Sequence, residues 1–159
     1  MLTGTLTWNQ TLFELAKLVI AYVLAMPVGW HREREAHSVG VRTFPLVAMA
    51  SCGYMLLSLP AGVHGAQGLD AQTRVIQGLV TGIGFIGGGA ILKSGPSVHG
   101  TAAAASIWTT GALGAAVAQE RFAIAILLAA LNLVALRVFL PLKQKIDDNP
   151  DNGVAARPK

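Results

Sequence analysis

The sequence predicts an all-α integral membrane protein, a bundle of five transmembrane helices. Three observations predict it. Of 159 residues, 53% are hydrophobic and 13% charged, against roughly 25% charged in a soluble domain. Five apolar runs approach the about 20 residues a spanning helix requires: residues 12–30, 44–62, 75–92, 101–118 and 122–140. The third run packs four glycines into Gly84-Phe85-Ile86-Gly87-Gly88-Gly89. Each interior glycine costs a helix in water roughly 1 kcal/mol against alanine. In a bilayer the backbone must pair internally, so helix is enforced, and glycine lets a neighbouring backbone approach.

The organisation is then a short external lead over residues 1–11, one membrane domain over 12–140 and a short cytoplasmic tail over 141–159. The first run exceeds the h-region of a signal peptide, has no basic n-region and precedes no small-x-small cleavage site. It opens with Glu14 and Lys17, spaced i, i+3 near an interface, where long side chains snorkel. Pro27 is expected to kink its inner end. A polar loop over residues 31–43 follows, with Thr43 as N-cap and Pro45 in the first turn of the second span. Cys52, the one cysteine, lies in that span. It excludes an intramolecular disulfide and zinc spacing, and is read as a packing residue.

A glycine-rich outer loop over residues 61–73 leads to the third span. Asp70 and Arg74, at i and i+4, can pair at its start. Gly78, Gly82, Gly84, Gly87, Gly88 and Gly89 are expected to serve helix packing, through Gly78-x-x-x-Gly82 and Gly84-x-x-x-Gly88. The fourth span is rich in Ala, Gly and Thr, and its weak hydrophobicity implies shielding by other helices. The fifth is the most apolar. Its interior polar residue, Asn132, is expected to hydrogen-bond to a neighbouring helix.

Charge sets the orientation. The pI near 9.6 reflects basic residues collected in inner loops rather than a nucleic-acid surface. Arg32, Arg34, Arg42, Lys93, Arg137, Lys143, Lys145, Arg157 and Lys159 fall on one side, and Lys17, Arg74 and Arg121 on the other. The expected topology has the N-terminus outside and the C-terminus in the cytoplasm.

Chemistry-bearing patterns are few. Gly82-Ile83-Gly84-Phe85-Ile86-Gly87 matches a dinucleotide fingerprint. It lies inside an apolar span, however, and the next acid is Glu120, so neither strand nor ribose carboxylate accompanies it. Residues 147–152 resemble a calcium loop with a displaced glycine, an intruding proline and no closing glutamate. They read as an acidic tail. His31, His37, His64 and His99 fall in loops or at helix ends and read as solvated or interfacial. No nucleophile and base share a telling spacing, so no catalytic residue, metal site or cofactor is assigned. No charged residue lies near the middle of a span, where ion-coupled transporters place them. A site built of backbone carbonyls with Thr or Asn side chains stays open.

Four ordered motifs between residues 14 and 114 resemble the MgtC/SapB family of bacterial inner-membrane proteins. Gly29-Trp30-His31-Arg32-Glu33 with Val39-Gly40-Val41-Arg42-Thr43 is similar to that family's G-x-E-R-E and A-G-L-R-T. Asp70-x-x-x-Arg74 is the second motif. The glycine-rich run from Gly82 is the third, close to G-I-G-F-L-G-A-G. Gly100, Ala104-Ala105-Ser106-Ile107-Trp108 and Gly111-Ala112-Leu113-Gly114 form the fourth. The chain departs from the pattern at His31 for Glu, at His99 for a basic residue, and at Ala102 and Ala103 for a Thr-rich pair. It also ends soon after the fifth span, as expected of a short member without the cytoplasmic C-terminal domain of the larger, virulence-associated ones.

The resemblance implies a multi-pass protein of the bacterial inner (plasma) membrane tied to survival in low magnesium. For one branch, inhibition of the rotary ATP synthase has been proposed. The function expected is non-enzymatic, in magnesium or ion homeostasis or envelope stress, through the bilayer and a membrane partner, ATP synthase by family analogy alone. A small cation or solute transporter or channel is the alternative, and a homo-oligomer is left open. Arg32, Glu33, Arg42, Asp70 and Arg74 are the expected functional residues.

Overall fold

A computed structural model of the chain describes residues 8–36, 40–58, 66–94 and 97–147. Five helices dominate it: α1 Trp8–Ala36, α2 Thr43–Leu57, α3 Ala66–Gly89, α4 Thr101–Ala118 and α5 Phe122–Asp147. Between α3 and α4 lies an antiparallel hairpin of β1 Leu92–Ser94 and β2 Ser97–His99, in the register Leu92↔His99. Two helical stretches, Trp8–Arg34 and Thr101–Ala118, are long and apolar enough to cross a membrane. Shorter apolar stretches run over Thr43–Leu57 and Phe122–Val138.

The element boundaries correct several expectations. α1 continues through the expected inner loop as far as Ala36, so His31, Arg32 and Glu33 are helical. Thr43 is the first residue of α2 rather than its cap; Arg42 precedes it, and no side chain caps the helix. α3 begins at Ala66, so Asp70 and Arg74 lie within the helix rather than at its start. α5 runs beyond residue 140 to Asp147. The hairpin replaces a plain loop. The lead up to residue 7, His37, His64, span-two residues 59–62 and the tail from 148 lie outside the described residues.

α4 is the hub. On one side α1 and α2 pack on it through Ala21, Ala25, Ala48, Cys52, Met55, Leu113 and Val117, all buried. Nearer the hairpin end, Val28, Phe44, Ile83, Ile107 and Leu136 form a second cluster. Small residues on α4 make the close approaches. A Cβ on Gly114 would collide with the Ala48 carbonyl on α2, and one on Gly111 with Ile83 on α3. Two helices can pack this closely only where one of them lacks a side chain.

Asn132 meets the expectation of an interhelical bond. Ser106 Oγ donates to its Oδ1 at 2.9 Å, and its Nδ2 donates to the Ser106 carbonyl at 3.4 Å. At the opposite end, Lys17 Nζ donates to Glu120 Oε1 at 2.8 Å, tying α1 to the α4–α5 turn. That hydrogen bond and the ammonium charge hold the Glu120 carboxyl below its ordinary value. Glu120 itself adopts a left-handed backbone, φ 62°.

Candidate functional site

The polar motif residues fall into two groups at opposite ends of the bundle. The first is the corner between α1 and α2. On α1, Ala21, Ala25, Val28 and Arg32 are all buried. Their steps of four, three and four residues put them on one helix face, so Arg32 continues the core stripe. It is 5% exposed, and its Nε has no hydrogen-bond partner. Among the described residues no carboxylate pairs with it, and taking a charge out of water without a counter-charge costs several kcal/mol.

Glu33, the next residue, points about 100° away around the helix. It is exposed, and its Oε2 accepts a hydrogen bond from the Val41 amide at 3.0 Å. That bond folds the chain back toward α2. Gly40 gives it room, since a Cβ there would collide with the Glu33 carboxylate. Gly29 lets the returning strand pass, with the Val41 Cα 3.1 Å from the position its own Cβ would take. Arg42 is exposed just before α2. Arg34 stacks over the Trp30 ring, 5.3 Å from its centroid, as guanidinium groups commonly do. Lys93 is exposed on β1.

The second group is Asp70 and Arg74, both exposed on α3. The expected ion pair between them does not form: among the described residues, the salt bridge present is Lys17 with Glu120. The structure therefore brings Arg32, Glu33 and Arg42 to one corner and leaves the acid–base pair of α3 at the far end.

The six glycines assigned to packing divide. Gly87 is buried against α4, where a Cβ would lie 3.3 Å from the Ala104 carbonyl. At Gly78, Gly82, Gly84, Gly88 and Gly89 a Cβ would meet nothing within 4 Å. Packing within the chain thus explains one of the six, because α3 lies on α4 along a single face and turns the others outward. Gly78 and Gly82 instead line an apolar groove of about 740 Å³ between α2 and α3, with Val47, Ser51, Tyr54 and Leu79.

The packing glycines that the sequence reading did not single out as such are Gly111 and Gly114, together with Gly100 before α4. Gly100 holds φ +85°, and a Cβ on it would collide with the Ala90 carbonyl. All three stand in the fourth motif of the sequence.

Against known families, residues 18–145 match the model of the MgtC family. The chain belongs to the MgtC family. Protein SrpB of Synechococcus elongatus is 36% identical over 64% of this chain and 60% of its own length. The putative magnesium transporter YhiD of Escherichia coli K12 is 30% identical over 79% of this chain and 60% of its own. Protein MgtC of Brucella abortus is 32% identical over 69% of this chain and 44% of its own. The chain thus spans about 60% or less of the length of these relatives. No solved structure matches it. Family membership and the apolar helices make it a membrane protein.

Proposed function

We propose that this MgtC-family chain spans the bacterial inner membrane five times, N-terminus outside and C-terminus in the cytoplasm, and serves magnesium-linked ion homeostasis by contact with a membrane partner, without catalysing a reaction. The nine-to-three distribution of basic residues supports the orientation. The link to magnesium comes from relatives named MgtC and putative magnesium transporter.

One observation carries the partner reading. Four of the five motif residues are exposed, and of these Arg42, Asp70 and Arg74 have neither a side-chain hydrogen bond nor an ion pair to another described residue, whereas Glu33 holds the Val41 amide. Charged groups that the fold does not use are available to another molecule. A second reading, a small cation or solute transporter, is favoured by the name of the Escherichia coli relative, putative magnesium transporter YhiD.

Two measurements separate them. Arg42→Ala and Asp70→Ala should insert at wild-type level and fail to restore growth in low magnesium. Full growth with both variants would overturn the assignment of these residues. Liposomes holding the purified protein should show no magnesium, potassium or proton flux, with or without a membrane potential. A protein-dependent flux would establish the transporter reading instead.

A further inference from the structure

α3 has two unlike sides. Buried Ile83 and Gly87, with half-buried Leu79, share the side turned to the bundle. Opposite them run Asp70, Arg74, Gln77, Thr81, Gly84 and Gly88, every one exposed. Their steps alternate between four and three residues. At 100° per residue the six lie within an arc of about 80°, along about 27 Å of helix axis. Among the described residues nothing outside α3 bonds to this seam. The Thr81 hydroxyl donates to the Gln77 carbonyl of its own helix at 2.9 Å, and above Gly84 and Gly88 the space is open. If α3 crosses the bilayer from residue 75 onward, as proposed above, Asp70 and Arg74 stand unpaired at its outer end, and the Gln77 side chain just inside has no partner among the described residues where water is scarce.

We infer that the seam is the contact between two copies of this chain, paired about a two-fold axis along the membrane normal. The inference rests on the five-span reading and names one membrane partner. All copies insert with the same orientation, so α3 meets α3 in parallel, with equal depths facing. A two-fold contact must be self-complementary, and this seam is. At equal depth Asp70 stands opposite the partner subunit's Asp70, and Arg74, one turn or about 6 Å further along, reaches diagonally across to the partner subunit's Asp70 with its long side chain. Gln77 both donates and accepts, so it can bond to its own copy, and the Thr81 oxygen keeps lone pairs free to accept. Deeper in the membrane, Gly84 and Gly88 let the two backbones close together. Phe85, 86% exposed beside them, gains cover from the partner. An unrelated partner would have to supply each complementary group, whereas a second copy carries them all.

Oxidative cross-linking of variants with one added cysteine in native membranes tests this, with the wild-type chain as blank because its Cys52 is buried. Thr81→Cys, Gly84→Cys and Gly88→Cys should give a disulfide-linked species of twice the chain mass, several-fold above Ile76→Cys and Ile86→Cys, which are exposed but off the seam. Equal yields at all five positions, no cross-link at any, or an adduct containing a different protein would each overturn the inference. For the charged end, Asp70→Arg should lower the yield from Gly84→Cys, and adding Arg74→Asp should restore it. A double variant no better than the single would overturn the charge register. These readouts are independent of growth and flux: a dimer in a chain whose charge variants still complement would leave the seam standing and remove the functional reading, and the converse pattern would do the reverse.

Discussion

α3 and α4 are both rich in glycine, yet the two helices use it differently. On α4, Gly111 and Gly114 face Ile83 and the Ala48 carbonyl at distances that leave no room for a side chain. On α3, Gly84 and Gly88 face open space. A glycine therefore records that something could come close, and only the opposing surface tells whether anything in the same chain does. α4 is surrounded by α1, α2, α3 and α5, so its small residues are consumed by the fold. α3 packs chiefly on α4, with a lighter contact to α2, so the small residues on its outer side stay available.

The comparison breaks or holds most sharply at the glycines themselves. Gly114→Leu should unfold or misassemble the protein, since the obstructing atom is backbone and cannot rotate away. A loss of about 3 kcal/mol is expected, read as loss of the folded species in detergent. Gly84→Leu should change the stability of the dispersed monomer by no more than about 0.5 kcal/mol, as exposed substitutions do. Comparable losses from the two would erase the distinction drawn here. Gly100→Ala should come next. It combines about 1–2 kcal/mol for a left-handed residue with a Cβ with the contact at the Ala90 carbonyl, and it should appear as a lower thermal midpoint. Ser106→Ala removes the bond to Asn132 within the α4 core, where interhelical bonds in membranes are worth about 0.6 kcal/mol on average; a small fall in the same midpoint is expected.

The smallest effect is electrostatic. The Glu120 carboxyl has its pKa lowered by Lys17, so its contribution is present above the ordinary carboxylate pKa. It is lost as the pH falls through the depressed value of the folded protein. Glu120→Gln should accordingly lower the midpoint slightly at neutral pH and leave it unchanged in strong acid. High salt should shrink the neutral-pH difference as well.

Much of the fold was legible because five apolar runs map onto five helices. α4 was placed over Thr101–Ala118, the residues it occupies, since glycine before it and a polar turn after it mark both ends. α3 begins nine residues before the expected span start at 75: residues 66–73 read as part of a glycine-rich loop, and a test based on lipid hydropathy cannot see a polar helix. Thr73 is accommodated in that helix by donating its hydroxyl to the Leu69 carbonyl at 2.9 Å. The hairpin was missed because three-residue strands are too short to display alternation, although Gly95-Pro96 is a turn dipeptide. At the corner, the sequence pattern puts Arg32 and Glu33 together in a polar loop. Their fates diverge because helix continues through them, and extending the stripe Ala21, Ala25, Val28 by four residues would have marked Arg32 as inward-facing. The outward turn of α3 was not legible at all, since glycine spacing is the same for a helix that packs within its own chain and one that does not.

The bridge between Lys17 and Glu120 also sets a clock. The two residues stand 103 positions apart, and chains grow at about 5–20 residues per second. Once the ribosome has made Lys17, roughly 5–20 s pass before its counter-charge exists. Through that interval the ammonium on α1 must be kept in water or held by lipid headgroups. The latch on the first helix therefore closes only when the turn into the last one emerges, and a chain stalled before Glu120 would carry four helices with the first still unfastened.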